Sequence, residues 1–503
     1  MSHSPMPEAL YTAAQTRELD RIAIEQAGIP GDILMTRAGE AAFLLLREQW
    51  PEARTLAIVC GAGNNGGDGY VVALLAIHAG LHPQVYATVA PDQLTGDAEM
   101  MALRAMQEGV PVTVLGDGET ADFSSADVIV DGLLGTGLRG PVREQQVPLV
   151  RAINQSGKPV LALDIPSGLS ADSGAAPGDV VQADHTITFI GVKRGLLTGE
   201  GPTLTGVLHF DDLRVPSSVY EKVEVSCRRP TLDAFHAALK PRRPTAHKGQ
   251  FGHVLVIGGD HGYAGAAVMA AQAAARCGAG LVSLATRRDH CALMLTRQPE
   301  VMVRGVENGD ELTPLLEKAT VIVLGPGLGQ GPWGQTLLRK VLATSIPRVL
   351  DADALNLMAG KDLKPATVPQ VITPHPGEAG RLLEMATGAI QQDRFASVCR
   401  LQKKLGGTVL LKGAGTLVAS EGEVLALNTS GNPGMATGGM GDVLSGIIGA
   451  LLAQGLNAHD AARFGALLHG MAADQAVARD GQRGLLASDL LVPLRHLLNG
   501  MMS

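Results

Sequence analysis

Two parallel-sheet α/β domains in tandem are what this sequence predicts, and three observations carry that reading. A length of 503 residues exceeds what one hydrophobic core organises. Short continuous apolar runs alternate with helical stretches, as strands buried on both faces of a parallel sheet require. The 63 glycines, set against two Trp, five Tyr and eight Phe, suit a fold with many tight strand-to-helix turns.

Residues 10–48 read as helical, with Leu19, Ile22, Ala23 and Gln26 along one face and the pattern resuming at Ile33 after Gly28-Ile-Pro-Gly31. Thr55-Leu-Ala-Ile-Val-Cys60 predicts a strand; a glycine loop over 61–69 and a helix over 71–79 follow. Further strands are predicted over 84–89, 127–130, 159–164 and 185–189. Around 211–248 the chain turns polar, proline-bearing and locally basic, which places a domain over 1–220, a linker over 221–245 and a second domain over 246–503. The second series opens with Gly252-His-Val-Leu-Val-Ile-Gly-Gly259 and an alanine-rich helix over 264–277. Strands over 320–324, 348–351 and 408–412 continue it.

Composition excludes some functions. A net charge of −8 and the scarcity of aromatics argue against a nucleic-acid surface, which needs a basic groove and stacking platforms. The cysteines (Cys60, Cys227, Cys277, Cys291, Cys399) are odd in number and lack metal-ligand spacing, so reduced thiols in a cytoplasm are expected. No leader-like start and no apolar run long enough for a bilayer is found, so a soluble cytoplasmic protein is expected.

The chemistry concentrates in glycine-framed segments at predicted strand ends. The one nearest the C-terminus, Asn432-Pro-Gly-Met-Ala-Thr-Gly-Gly-Met-Gly-Asp442, precedes an apolar helical run whose free N–H groups and dipole make an anion site. Asp442 at its mouth would repel a phosphate unless it handles a metal or a proton, so the stretch reads as a phosphate cradle with a catalytic base. In the first half, Asn64-Asn-Gly-Gly-Asp68 puts three small polar side chains at a strand end, more than a structural turn needs. A second loop runs from Asp131 to Pro141, with Arg139 suited to a bidentate phosphate contact. A third, Leu161-Ala-Leu-Asp-Ile-Pro-Ser-Gly168, carries Asp164 and Ser167; a helix N-cap is the plainer role for Ser167. Asp68, Asp131, Asp164, Asn65 and Ser167 offer hard oxygen ligands suited to a Group 1 or 2 cation rather than zinc. In the second half, Gly325-Pro-Gly-Leu-Gly329 follows a strand, and Thr373-Pro-His-Pro-Gly-Glu378 fixes His375 between two prolines. Lys412-Gly-Ala-Gly-Thr416 supplies backbone N–H groups and an ammonium for a nucleotide phosphate, without Walker spacing.

Together these segments resemble a known pair of domains. The first-half motifs resemble the NAD(P)HX epimerase domain of the YjeF N-terminal type, with a Rossmann-like fold. His247-Lys-Gly249 and the second-half motifs resemble the NAD(P)HX dehydratase domain, which is ribokinase-like. The resemblance spans nearly the whole chain and implies an N-terminal Rossmann-like three-layer domain followed by a C-terminal ribokinase-like α/β domain, in the order of the bacterial fused repair family. It implies repair of nicotinamide cofactors hydrated at C6: epimerisation of R and S forms, then dehydration of the S form using ADP.

By family position, the substrates NADHX and NADPHX would meet Asn64, Asn65, Gly66, Gly67, Asp68, Gly135, Thr136, Gly137, Leu138, Arg139, Gly140, Pro141 and Asp164 in the first domain. K⁺ would meet Asn65, Asp131 and Ser167. Asp164 is the preferred acid/base and Asp68 the second choice. In the second domain the hydrate would meet Ala264, Gly327, His375 and Asp442, and the AMP part of ADP would meet Lys412, Gly413, Ala414, Gly415, Thr416 and Gly441. Asp442 would be the base, with Mg²⁺ as helper. A homo-oligomer is expected from the family, with neither nucleic acid nor membrane as partner. The alternative is a ribokinase-like small-molecule kinase carrying a non-catalytic nucleotide-binding N-terminal module.

Overall fold

The computed structural model describes residues 6–138, 140–361 and 364–501. The chain divides into two compact units, Met1–Cys227 and Arg228–Ser503.

In the first unit, helices α1 (Ala13–Glu25) and α2 (Gly31–Gln49) precede the sheet. A capping box between Thr12 and Gln15 starts α1, which buries Leu19, Ile22 and Ala23 as its apolar spacing predicts. Strand β1 (Thr55–Cys60) leads into α3 (Asn64–His78), followed by β2 (His82–Ala87), α4 (Gly96–Gln107), β3 (Val112–Val114), β4 (Val128–Gly132), α5 (Val147–Gln155), β5 (Val160–Leu163), β6 (His185–Phe189) and β7 (Val207–Asp211). All strands are parallel, in the order β3-β2-β1-β4-β5-β6-β7. Strand alternation sorts the core: Leu56, Ile58 and Cys60 join the cluster under α1 to α4, whereas Ala57 and Val59 join the one under α5. The result is three layers, with the strand order reversing between β1 and β4. Open α/β sheets bind ligands at such a switch.

The expected glycine loop over 61–69 is shorter than the sequence suggests, because α3 already begins at Asn64. Close packing explains it. A Cβ on Gly66 would lie 2.1 Å from the Gly61 carbonyl oxygen, and one on Gly67 would lie 2.6 Å from Met35. These glycines let the helix start directly against the strand end.

The second unit contains β8 (His253–Ile257), α6 (Ala264–Arg276), β9 (Leu281–Thr286), β10 (Met302–Gly305), β11 (Val321–Leu324), β12 (Arg348–Leu350), α7 (Asp353–Met358), β13 (Ala366–Ile372), α8 (Pro376–Leu383), β14 (Gly406–Leu411), β15 (Thr416–Ala419), β16 (Leu425–Asn428), α9 (Met440–Ala453) and α10 (Ala458–Asp480). These strands run in the order β16-β15-β14-β13-β12-β11-β8-β9-β10, parallel except where β14, β15 and β16 pair antiparallel. Helices α6 and α9 pack so closely that a Cβ on Gly446 would stand 2.2 Å from the Ala270 carbonyl oxygen. Within 221–245, the helix Leu232–Ala238 packs Phe235 edge-on against Phe464 in the core of this unit. Among the described residues no helix is long and apolar enough to cross a membrane.

Candidate functional sites

A cavity of about 650 Å³ opens at the C-terminal ends of β1, β4 and β5 in the first unit. Asn64, Asn65, Asp68, Gly135, Thr136, Gly137, Leu138, Pro141 and Asp164 line it. Gly66 and Gly67 are buried behind it in the first turn of α3, and Gly140, with φ at +81°, shapes the loop without lining the cavity. Arg139 lies outside the described residues.

One group of oxygens gathers at the cavity's inner wall. The buried Asp131 carboxylate accepts from the Ser167 amide at 2.8 Å, the Ser167 hydroxyl at 2.6 Å and the Leu133 amide at 3.2 Å. Burial still raises its pKa, against these hydrogen bonds. Ser167 therefore ties two strand ends together and caps no helix. Asn65 donates through Nδ2 to the Leu134 carbonyl at 3.0 Å, while its buried Oδ1 has no hydrogen-bond partner. An orphaned amide oxygen of this kind is a position for a cation or a water.

A second group is ionic, and its key member escaped the sequence reading. Lys193 is 1% exposed and uses all three ammonium hydrogens: it forms an ion pair with Asp164 and donates to Thr188 Oγ1 at 3.0 Å and to the Phe189 carbonyl at 3.1 Å. Asp164 itself sits at φ +62°, a left-handed conformation uncommon outside glycine, held by its amide donating to Ile187 at 2.7 Å. Asp68 and Asp20 face the same cavity. Burial, then the charges of Asp164 and Asp20, push Asp68 far above the carboxylate range, with only Lys193 pulling it back. Asp20 is pushed up to about 6, chiefly by burial. The one sequence signal for Lys193 was its place, beside Arg194, in the mostly apolar run Ile187 to Leu197, four residues beyond a strand.

The second unit builds its site on the ends of β12, β13 and β14 and the start of α9. The Lys412 ammonium donates to Asp351 Oδ1 at 2.8 Å and lies 3.7 Å from Glu378. Ser445, inside α9, donates to the other Asp351 oxygen at 2.7 Å. Burial opposes the charge on Asp351, but Lys412 and the Ser445 hydroxyl hold its pKa below the usual value. Asp442, in the first turn of α9, has no such partner; burial and then the charge of Asp351 push it up to about 7. Gly441 fits between these groups, since a Cβ there would stand 3.3 Å from Lys412 Nζ.

His375 caps α8. Its Nδ1 accepts from the Gly377 amide at 3.0 Å and the Glu378 amide at 3.4 Å, which makes the neutral ring an Nε2–H donor. Burial, then Lys412 and Arg381, lower its pKa, so it stays neutral near pH 7. In the loop Lys412 to Thr416, Gly413 and Gly415 take φ of +134° and +64°. The buried Arg394 props this loop from beneath, donating to the Lys412 carbonyl at 3.1 Å and the Gly415 carbonyl at 3.4 Å. Gly327 lies beside Ala264, at the start of α6: a Cβ on it would meet the Tyr263 carbonyl oxygen at 2.5 Å. Gly325 abuts the Asp351 carbonyl, so the 325–329 loop joins the α6 wall to the carboxylate cluster. Asp351, Glu378 and Arg394 were not foreseen, although Asp351 ends an apolar strand just as Asp131 and Asp164 do.

Two α/β units, each with a buried lysine–aspartate pair beside a second carboxyl at its strand ends, define a tandem of small-molecule enzymes, the second built to hold phosphate. The comparisons specify the class. A family model described as NAD(P)H-hydrate dehydratase matches residues 254–494, and one described as YjeF-related protein N-terminus matches residues 31–195. The chain is 48% identical to the bifunctional NAD(P)H-hydrate repair enzyme of Coxiella burnetii, covering 97% of this chain and 99% of that one. It is 46% identical to the enzyme of that name from Escherichia coli, covering 98% and 95%. A Bacillus subtilis ADP/ATP-dependent NAD(P)H-hydrate dehydratase co-crystallised with ATP/Mg²⁺ superposes at a TM-score of 0.50 and 28% identity, over 54% of this chain and 98% of that one. The chain belongs to the family of bifunctional NAD(P)H-hydrate repair enzymes, with a Rossmann-like first unit and a ribokinase-like second.

Proposed function

We propose that the chain repairs hydrated nicotinamide cofactors in two steps: the first unit interconverts the R and S epimers of NADHX and NADPHX, and the second dehydrates the S epimer at the expense of ADP. The observation that carries this reading is Asp442, a carboxyl with a pKa of about 7 on the first turn of a helix whose N–H groups suit a phosphate. A base poised near neutrality accepts the proton of the C6 hydroxyl as its oxygen attacks the terminal phosphoryl group of ADP, with AMP leaving. The ring nitrogen's lone pair then expels phosphate from C6, and loss of a C5 proton restores the dihydropyridine. Lys412 and the Gly413-Ala-Gly-Thr416 backbone suit the AMP part, while His375 offers its Nε2–H to a ligand oxygen.

Mg²⁺ would ride on the nucleotide's phosphates and neutralise their charge. Magnesium needs only one or two protein carboxylates, and Asp351, already held by Lys412 and Ser445, leaves Asp442 and Glu378 as the nearby oxygens. Potassium fits the first unit, where the unpartnered Asn65 Oδ1 stands with Asp131 and Ser167. It would supply a fixed positive charge joining the three ligating segments.

Incubating the full chain with a mixed-epimer hydrate and ADP tests the reading. Full recovery of reduced-nicotinamide absorbance, with AMP and phosphate released in step, is expected. A stable phosphorylated product accumulating without recovered absorbance would make the second unit a kinase instead.

A further inference from the structure

The first-unit cavity holds more charge than a single acid/base needs. Three carboxyls, Asp20 from α1, Asp68 from α3 and Asp164 at the end of β5, share it with one buried ammonium, Lys193. Arg17, Asp97 and Arg143 line the same cavity, and Cys60 lies behind Asp68. Burial and mutual repulsion among the three carboxylates favour a retained proton, since Lys193 is the one buried cation among the described residues lining the cavity and Arg17 acts on Asp20 but not on Asp68. Contacts decide where it is not: Asp164 accepts from Lys193 and, at 3.3 Å each, from the Thr188 hydroxyl and the Phe189 amide. Asp68 has only the more distant field of Lys193 on its side.

We propose that epimerisation runs on two carboxyls in opposite charge states: Lys193 keeps Asp164 ionised as the base, and Asp68, with Asp20 beside it, holds the proton that the departing hydroxyl takes. This rests on the epimerase reading above. Asp68 and Asp164 reach the cavity from different walls, one on a helix and one on a strand end. The Asp68 O–H bond breaks as the C6 hydroxyl gains its proton. The C6–O bond then breaks with its electron pair leaving as water, while the ring nitrogen's lone pair forms the N1=C6 bond. A water adds to C6 and gives its proton to Asp164. Asp68 is then the carboxylate and Asp164 the acid, so the enzyme is set for the reverse turnover. Lys193 is a positioning residue here, and Asp20 tunes Asp68.

Exchange between the R and S epimers, followed by chromatography across pH without ADP, tests this in the full chain. Asp68→Asn and Asp164→Asn should each slow exchange by about a hundred-fold or more, the usual scale of a positioned acid or base. Lys193→Met should move the acid-side limb of the profile upward, because Asp164 loses the charge that keeps it ionised; Lys193→Arg should restore part of the shift. Asp20→Asn should move the alkaline limb downward, because Asp68 then ionises more easily. Chemical denaturation of the first unit reports whether each variant still folds there, and Asp20→Asn keeps the test open if Lys193→Met does not fold. Wild-type exchange at the spontaneous rate would defeat the epimerase reading itself. Wild-type exchange well above that rate, with Asp68→Asn equally fast or with both limbs unmoved in the Lys193 and Asp20 variants, would overturn the two-carboxyl proposal alone.

Discussion

The two sites, built on different sheets, solve one electrostatic problem in the same way. In the first unit Lys193 grips Asp164 and leaves Asp68 under the field of its neighbours; in the second, Lys412 grips Asp351 and leaves Asp442 in that position. In each, a lysine pairs with one of two nearby carboxyls and leaves the other pushed toward protonation. The sites differ in access. Lys193 is 1% exposed and Asp164 17%, whereas Lys412 is 20% exposed and Asp351 2%, so the carboxylate meets the cavity in the first pair and the ammonium meets solvent in the second. An ammonium open to solvent can meet a phosphate; a carboxylate open to its cavity can exchange a proton with a ligand.

The largest expected effect breaks the parallel at its free carboxyl. Asp442→Asn removes the base, and ADP-dependent recovery of reduced nicotinamide should fall about 10²- to 10⁴-fold. The same change should stabilise the fold. With Asp442 raised from 3.8 to about 7, the unfolded chain ionises before the folded one, so its contribution to stability is lost as pH rises from about 4 to about 7. The variant should therefore melt higher than wild type at pH 8, by about 2–4 °C per kcal/mol regained in a unit of this size. The gain should shrink steadily below pH 7 and vanish only below about pH 3, where the carboxyl is protonated in both states. An equal or lower melting temperature at pH 8 would mean that Asp442 is not held against its charge.

Next in size is a comparison of the two lysines. Removing one partner of a sealed ion pair leaves an uncompensated charge and costs about 3–5 kcal/mol. Lys412→Met should approach that range in chemical denaturation of the second unit, because the Asp351 left behind is 2% exposed. Lys193→Met should cost less in the first, because Asp164 is 17% exposed and faces a cavity where water screens it. Pairing each with the Asn variant of its aspartate should recover most of the loss. Equal costs for the two lysines would show that exposure does not separate the sites.

How much of this was legible depends on what kind of residue carried it. Asn65, Asp131, Ser167 and Asp442 stand in or beside glycine-framed segments written in consecutive residues; the structure brings Asn65, Asp131 and Ser167 together around Leu134. The strands that could be read, such as Val321–Leu324, were legible because burial on both faces makes them continuously apolar. Strands β3, β7, β10 and β13 were not, because exposed or half-exposed positions interrupt them, nor were β9, broken by Ser283, and β15 and β16, whose four residues each include a polar one. Lys193, Asp20, Asp351 and Arg394 were missed for a different reason. Each matters through a partner distant in sequence, 29 residues for Lys193 with Asp164 and 61 for Asp351 with Lys412. No local pattern announces such a pairing. The choice of Asp164 over Asp68 as acid/base was made without Lys193 in view, the contact that distinguishes the two.

The smallest effect concerns a feature without a counterpart in the comparison, the oxygen nest of the first unit. Asn65 Oδ1 is the one member with no partner, whereas the Asp131 carboxylate already accepts three hydrogen bonds. If potassium completes the nest, it binds the folded state only, and melting of the first unit should rise with potassium concentration by mass action. Choline chloride at equal ionic strength supplies the baseline, because screening alone affects both salts alike. Asn65→Ala should lose the amide bond to Leu134, worth about 1 kcal/mol, and also lose the potassium-specific rise. A water in the nest would satisfy Oδ1 equally well but would leave the melting temperature indifferent to the cation. An unchanged potassium response in Asn65→Ala would place the ion elsewhere and leave this oxygen to a water.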